Sequence, residues 1–233
     1  MFDRGYTHSM KLLIDDADIN EIKRLYEYYP IDGVTTNPTI LSSVKREPYE
    51  VLKEIRAFIR DGDLHVQTVA STADGIVRDA MRIVCETGRE TYIKIPAVRE
   101  GFKAMKILSD KGYRITGTAV YTPLQAYLAA KCGALYIAPY VNRIDNLGYD
   151  GTAEVKRMQD IYENHGYKTQ ILAASFKNSM QVLELCEYGI GAVTLSPSVI
   201  DGLVKNREIE NAVEVFRQDF EGLAGSGKTM ENI

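Results

Sequence analysis

Lys94 lies in a setting that a lysine rarely prefers. In "TYIKIPAV" it stands between Ile93 and Ile95 and is followed by Pro96, in a stretch with the composition of a buried strand. Burial disfavours the charged form of an amine and lowers its pKa. A lysine with a lowered pKa can act as a nucleophile near neutral pH and condense with a ketone. The alternative is a lysine with a buried stem whose amine reaches the edge of the sheet or pairs with an acid.

A Schiff base at this position would need neighbours that move protons. An iminium withdraws electrons, so a C–C bond beta to it can break, and the alkoxide that leaves must be protonated. Asp15 offers a carboxylate and Tyr140 a phenol, each at the end of an apolar run, whereas Gln67 can hold a water molecule but cannot take up a proton. The alternatives are that Asp15 caps a helix and that Tyr140 only lines the rim. Asp18 and its neighbour Asp16 are better placed as helix caps.

Three further polar residues follow the sixth and seventh apolar runs. Arg143, Ser175 and Lys177 stand where barrels of alternating strands and helices often bind a substrate phosphate, and the arginine fork suits phosphate oxygens. For Arg143 and Lys177 the alternative is a surface ion pair.

A second motif, "GLAGSGKT" at 222–229, satisfies the phosphate-loop pattern G-x-x-x-x-G-K-[ST]. That pattern binds phosphate only where a strand precedes the glycines and a helix starts at the Lys-Thr pair. Here a helical pattern precedes it and only four residues follow it. We therefore expect a flexible tail and no nucleotide site.

The elements that must position these residues alternate along the chain. Eight short apolar runs, typical of strands covered on both faces of a parallel sheet, are separated by amphipathic helical patterns. The runs are 11–15, 33–36, 64–70, 91–96, 114–120, 134–140, 169–175 and 192–196. This order predicts an α/β fold, a single (β/α)₈ TIM barrel with an extra C-terminal helix, whose active site lies at the carboxyl ends of the strands. An open doubly wound sheet is the alternative, but the turn after the first run lacks the glycines that such sheets usually carry.

We expect residues 1–9 to be an N-terminal extension, 10–206 the barrel, and 207–233 a C-terminal helix and tail. Three distant cysteines and three scattered histidines form neither a disulfide framework nor a metal site, and we expect the cysteines to be reduced core residues of a cytoplasmic protein. The net charge of −4 argues against a nucleic-acid partner, and no apolar run is long enough to span a membrane.

The chain resembles the transaldolase and fructose-6-phosphate aldolase family, specifically its small members. The stretches that carry the resemblance include "DGVTTNPTIL", "YIKIPAVREGFKAMKIL", "TGTAVYTPLQAYLAAKCGALYIAPYVNRID" and "QILAASFKNSMQVLEL". It covers about residues 11–220. It implies a (β/α)₈ barrel, a cofactor-free Schiff-base mechanism without a metal, a sugar-phosphate substrate, and a homo-oligomer built from rings (a pentamer or a decamer) in which the C-terminal helix contacts a neighbouring subunit.

The resemblance also implies roles for single residues. Lys94 matches the Schiff-base lysine, Asp15 the acid after the first strand, and Gln67 the position that orients the catalytic water. The other matches are Thr118 beside that water, Thr35 and Asn37 as substrate contacts, and Ser175 and Arg143 as phosphate contacts.

Three positions bear on the branch of the family. Transaldolases usually carry Glu, Phe and Arg where this chain has Gln67, Tyr140 and Lys177, whereas "SPS" after the eighth run is closer to transaldolases. We therefore predict an aldolase that cleaves fructose 6-phosphate into dihydroxyacetone and glyceraldehyde 3-phosphate. The alternative is a transaldolase that transfers the dihydroxyacetone unit between sugar phosphates. A non-catalytic sugar-phosphate-binding barrel would require the proton-handling groups to be missing, and they are present.

Overall fold

The structure is a computed structural model and describes residues 9–233. The predicted N-terminal extension, residues 1–9, therefore lies outside the described residues except for Ser9. The chain forms two compact units that divide between Val199 and Ile200. This division falls earlier in the chain than the predicted boundary at 206/207.

The first unit contains a closed barrel of eight parallel strands in chain order. The barrel closes because β1 pairs with β8, with Lys11 opposite Ala192 and Ile14 opposite Leu195. The predicted TIM barrel is confirmed, and the alternative of an open sheet is wrong. The strands are β1 Lys11–Asp15, β2 Gly33–Thr35, β3 Asp63–Gln67, β4 Tyr92–Pro96, β5 Ile115–Val120, β6 Tyr136–Pro139, β7 Gln170–Ala173 and β8 Ala192–Leu195.

Helices follow every strand, and three short ones occupy loops where the sequence pattern predicts none. The helices are α1 Ile19–Tyr28, α2 Pro38–Ser43, α3 Pro48–Ile59, α4 Ala73–Thr87, α5 Arg99–Asp110, α6 Pro123–Lys131, α7 Val141–Asp145, α8 Gly151–His165, α9 Ser179–Tyr188, α10 Pro197–Gly202 and α11 Arg207–Ala224. Their limits follow from capping chemistry. In α4, for example, the Thr72 side chain accepts a hydrogen bond from the Gly75 N–H, and Gly88 ends the helix with a positive φ of 98°.

The register of the strands brings the candidate residues to one end of the barrel. Gln67 lies opposite Lys94 on the neighbouring strand, and Pro96 lies opposite Thr118. Helix α5 packs closely on the end of β4, since a Cβ atom at Gly101 would overlap the main-chain oxygen of Pro96. We therefore attribute the position of β4 in part to this glycine contact.

Side chains fill the barrel below the candidate residues. Leu13, Tyr92, Tyr136, Leu172 and Ala192 form a buried cluster. His65 is also buried, and its ring stacks on that of Tyr92 with centroids 4.4 Å apart. The barrel is a packed core, so a ligand can enter only from the end of the barrel.

The cysteine prediction is wrong in one respect. Cys85 and Cys186 are exposed and Cys132 is partly exposed, because all three lie on or after outer helices and not in the core. All three are free. Within the described part of the chain, no helix combines the length and the apolar character that a membrane span requires.

The second unit, 200–233, is dominated by α11, which Asn206 caps through a hydrogen bond to the Glu208 N–H. The predicted C-terminal helix is confirmed and spans Arg207–Ala224. The stretch "GLAGSGKT" begins inside α11, and in residues 9–233 no strand directly precedes its glycines and no helix starts at its Lys-Thr pair. The pattern therefore lacks the geometry of a phosphate loop.

Candidate active site

A pocket of about 280 Å³ opens at the carboxyl ends of the strands. Seven of the ten predicted site residues line it, together with three residues that the sequence argument did not name. The predicted ones are Asp15, Asn37, Gln67, Lys94, Tyr140, Arg143 and Ser175, and the additional ones are Pro38, Thr39 and Ala174.

Lys94 projects from β4 into this pocket, and only 4% of the residue is exposed. Its Nζ donates a hydrogen bond to the main-chain oxygen of Thr36 at 2.7 Å. Burial lowers the pKa of the Lys94 amine from its ordinary value, and the Asp15 carboxylate opposes this shift. The alternative of an amine that reaches the edge of the sheet is excluded by this burial. The charge of the amine depends on the groups around it.

Asp15 is the carboxylate that faces the amine. The Thr35 hydroxyl donates to Asp15 at 2.6 Å, and the same hydroxyl lies 2.7 Å from that of Thr194. Desolvation raises the pKa of the Asp15 carboxyl, whereas Lys94 and the Thr35 hydrogen bond lower it. Because Asp18 caps α1, the alternative role of Asp15 as a helix cap is excluded.

Tyr140 follows β6, and its hydroxyl lies 3.0 Å from the Thr118 hydroxyl. Thr118 is placed there by an irregularity of β5, where the register shifts between Gly117 and Val120 and Ala119 has a φ of 54°. A bulge of this kind redirects a side chain at the rim of a barrel. Thr118 is fully buried and does not line the pocket, so it contacts the site through the Tyr140 phenol.

Two amides complete the inner part of the pocket. The Gln67 Oε1 atom is buried and has no hydrogen-bond partner among the described residues. An acceptor left without a partner is costly, so a hydroxyl or a water at this point would be stabilised. Asn37 caps α2 by accepting a hydrogen bond from the Ile40 N–H at 3.0 Å.

The outer part of the pocket contains a cation. The Arg143 guanidinium lies over the Tyr140 ring, 4.5 Å from its centroid. Ser175 has a φ of 60°, and its main-chain oxygen accepts a hydrogen bond from the Asn142 N–H. These contacts tie the segment after β6 to the segment after β7 at the mouth of the pocket.

Two predicted contacts are placed differently from the rest. Thr35 is fully buried behind Asp15 and does not line the pocket. Lys177 is exposed and outside the pocket lining, because the chain turns away after Ser175 and the Lys177 N–H bonds to Gln181 in the first turn of α9. The prediction that Lys177 binds substrate stays a prediction.

Thr36 and Thr39 belong to the site although neither was predicted from the sequence. Both lie in "TTNPT", where the motif drew attention to Thr35 and Asn37. Thr39 in the first turn of α2 could have been found because only two residues separate α2 from the end of β2. The contact of Thr36 is made by its main-chain oxygen, for which a sequence carries no signal.

His65 lies two residues before Gln67 in β3, on the same face of the strand, and is fully buried. Its Nδ1 lies 2.9 Å from the Thr116 hydroxyl, and its Nε2 has no hydrogen-bond partner among the described residues. Desolvation, and then the charge of Lys94, lower the His65 pKa well below 6.5. The imidazole is therefore neutral beneath the pocket.

A neutral buried histidine makes stability depend on pH. Between the folded and the unfolded pKa only the unfolded state binds the proton, so stability is full above about pH 6.5 and falls as the pH decreases. We expect wild-type protein to lose about 1 kcal/mol more unfolding free energy than His65→Phe between about pH 7 and about pH 5.5. Urea unfolding at both pH values measures this. The exposed His165 provides the control, since His165→Gln should lose as much as wild type. Equal losses in wild type and His65→Phe would contradict a neutral His65.

No group of three or more histidine, cysteine, aspartate or glutamate side chains in residues 9–233 is arranged to hold a metal ion. The ionisable groups that line the pocket are one amine, one carboxylate, one phenol and one guanidinium. This set suits covalent capture of a carbonyl compound and proton transfer.

Comparison with known proteins agrees with the geometry. Residues 12–232 match the family model "Transaldolase/Fructose-6-phosphate aldolase". The chain belongs to this family. It is therefore an aldolase-type enzyme of sugar-phosphate metabolism.

Similar proteins cover nearly the full chain. A "Probable transaldolase" from Anaeromyxobacter dehalogenans (strain 2CP-C) is 37% identical over 94% of this chain and 100% of its own length. Another from Geotalea uraniireducens (strain Rf4) is 37% identical over 91% of this chain and 98% of its own length. These names support the predicted alternative, a transaldolase, better than the predicted aldolase.

A solved structure supports the fold alone. The structure of "Dihydrodipicolinate Synthase from Rhodopseudomonas palustris" is 11% identical to this chain, with a TM-score of 0.57 over 91% of this chain and 80% of its own length.

Proposed function

We propose that Lys94 forms a Schiff base with the keto group of a ketose phosphate and that Asp15 transfers protons during cleavage of the neighbouring C–C bond. The observation that carries this proposal is the buried Lys94 amine, which faces a carboxylate in a pocket large enough for a sugar. Burial lowers the pKa of the amine and raises the pKa of the carboxyl. A pair of groups whose pKa values shift toward neutral pH suits general acid–base chemistry.

Within this chemistry we propose that the chain releases dihydroxyacetone to water, as a fructose-6-phosphate aldolase. The Tyr140 hydroxyl supports this branch because it stands in the pocket beside the Thr118 hydroxyl. After cleavage the three-carbon fragment stays on Lys94 as a carbanion equivalent. A phenol that protonates this carbon converts it to an iminium, which water then hydrolyses.

The second candidate is a transaldolase, and the names of the relatives favour it. It would use the same lysine and the same first half-reaction. The carbanion equivalent would then stay bound to Lys94 until it adds to an acceptor aldose such as erythrose 4-phosphate. The two candidates differ only in what captures the fragment.

Replacing Tyr140 with phenylalanine is expected to shift the enzyme from release toward transfer. The variant retains the ring under Arg143 but lacks the hydroxyl, so protonation of the fragment should slow by about tenfold or more. Free dihydroxyacetone, measured with fructose 6-phosphate alone, should decrease relative to transfer to erythrose 4-phosphate.

The exposed Tyr149 supplies the matched control, because Tyr149→Phe removes a phenol outside the pocket. It should leave the ratio of release to transfer unchanged. An unchanged ratio in Tyr140→Phe would remove the role of Tyr140. Wild-type turnover that requires an acceptor would favour the transaldolase.

We propose further that Arg143 and Ser175 bind the phosphate group, since both line the outer part of the pocket.

A cytoplasmic homo-oligomer, a ring pentamer or a decamer of two rings, is also proposed from the family resemblance. The apolar residues Ile209, Val213 and Phe216 of α11 are exposed at helical spacing, which suits a contact with a neighbouring subunit. Light scattering of the purified chain would measure the mass of this particle.

A further inference from the structure

The amine of Lys94, the proposed nucleophile, is hydrogen-bonded to a main-chain oxygen. Lys94 Nζ donates to the Thr36 carbonyl at 2.7 Å. Thr36 directly follows β2 and is fully buried. An acceptor at this distance favours orientations of the amine in which one N–H points at this oxygen.

The Thr36 carbonyl is itself held in place by the neighbouring strand. The Thr36 N–H donates to the His65 main-chain oxygen at 2.9 Å. The Thr36 hydroxyl donates to the same oxygen at 3.2 Å. On the other side of the peptide, Asn37 is fixed as the cap of α2. The side chain of Thr36 thus adds a second bond that holds the peptide between β2 and β3.

This arrangement matters at two stages of Schiff-base chemistry. A neutral amine has two N–H groups and one lone pair, and donation of one N–H to Thr36 restricts the lone pair to the two remaining tetrahedral directions. Condensation of the amine with a ketone and one proton then gives a protonated iminium and one water. The iminium nitrogen has a single N–H, which needs an acceptor in a buried site.

We propose that Thr36 is a positioning residue for the Schiff base. Its carbonyl accepts the N–H of the Lys94 amine and then of the iminium, and its hydroxyl keeps that carbonyl aligned through His65. The inference rests on the proposed function, because it needs Lys94 to form a Schiff base.

Thr36→Val tests the role of the hydroxyl, since valine has nearly the same shape and retains the main-chain groups. We expect kcat, and the rate at which borohydride traps a dihydroxyacetone adduct on Lys94, to fall by about tenfold. KM should change little, because Thr36 does not line the pocket. Thr36→Ser restores the hydroxyl and should recover most of both rates.

The pH dependence of trapping separates positioning from general damage. A well-aligned carbonyl favours the charged form of the amine, so its misalignment in Thr36→Val should lower the amine pKa and move the rise in trapping to lower pH. The control is Thr87→Val, which removes another buried hydroxyl that donates to a main-chain oxygen, that of Ile83. It should keep the wild-type rate and pH dependence.

Each outcome has one meaning. An absence of adduct on Lys94 in the wild-type protein would remove the proposed function and this inference with it. An adduct in the wild type that forms equally fast and with the same pH dependence in Thr36→Val would overturn the inference alone. An equal slowing in Thr87→Val, or a failure of Thr36→Ser to recover the rate, would also overturn it.

Discussion

Replacing Lys94 with methionine is expected to lower turnover by about 10⁴-fold or more, because the methionine side chain cannot form the covalent intermediate. Methionine fills a similar volume, so the barrel should be retained. Mass spectrometry after borohydride reduction in the presence of dihydroxyacetone should find one added three-carbon unit in the wild type and none in Lys94→Met. Lys103 on α5 is exposed and serves as the control, since Lys103→Met should retain both turnover and the adduct.

The same variant should reveal the energetic cost of the buried amine. The folded pKa of Lys94 lies below the unfolded value of 10.5, so the unfolded state binds the proton more tightly. The resulting penalty is largest below the folded pKa and is relieved as the pH rises toward 10.5, by at most about 1.4 kcal/mol per pH unit. Lys94→Met should therefore be more stable than wild type near neutral pH, and its advantage should shrink as the pH rises. A three-carbon adduct on another lysine, or turnover that survives in Lys94→Met, would contradict the mechanism.

The fold and the centre of the site could be predicted because strand ends in a parallel barrel meet at one edge. Eight apolar runs predict eight strands, and four candidate residues stand at the carboxyl ends of these strands: Asp15, Gln67, Lys94 and Tyr140. Their side chains must therefore lie near one another, independently of the conformation of the loops. Lys94 could also be recognised from its neighbours alone, since a lysine between two isoleucines has little room to reach solvent. Burial, and hence the direction of its pKa shift, followed from that position.

Other parts of the site depend on local geometry that sequence patterns do not specify. The bulge at Ala119 aligns Thr118 with Tyr140. No sequence pattern predicts an alanine with a positive φ. The turn at Ser175 likewise moves Lys177 away from the pocket. Thr36 acts through its main chain, so its side chain gives no hint of the contact with Lys94.

Asparagine at position 15 is expected to lower kcat by about 10²-fold to 10³-fold, because asparagine cannot transfer a proton. Geometry should be retained, since the Thr35 hydroxyl can donate to an amide oxygen as it does to the carboxylate. Loss of the Asp15 charge removes an influence that raises the Lys94 pKa, so the amine should become neutral at lower pH. Borohydride trapping of dihydroxyacetone on Lys94 should therefore persist while C–C cleavage fails.

The neighbouring Asp16 makes the control informative. Its carboxylate accepts hydrogen bonds from the Ala17 and Asp18 N–H groups, which an asparagine can also accept, and it does not line the pocket. Asp16→Asn should therefore keep kcat within about threefold of wild type, although it removes a nearby negative charge that raises the Asp15 pKa. Full turnover in Asp15→Asn would show that another group moves the proton. Loss of the Lys94 adduct in Asp15→Asn would instead place Asp15 before the C–C bond breaks, in the formation of the Schiff base itself.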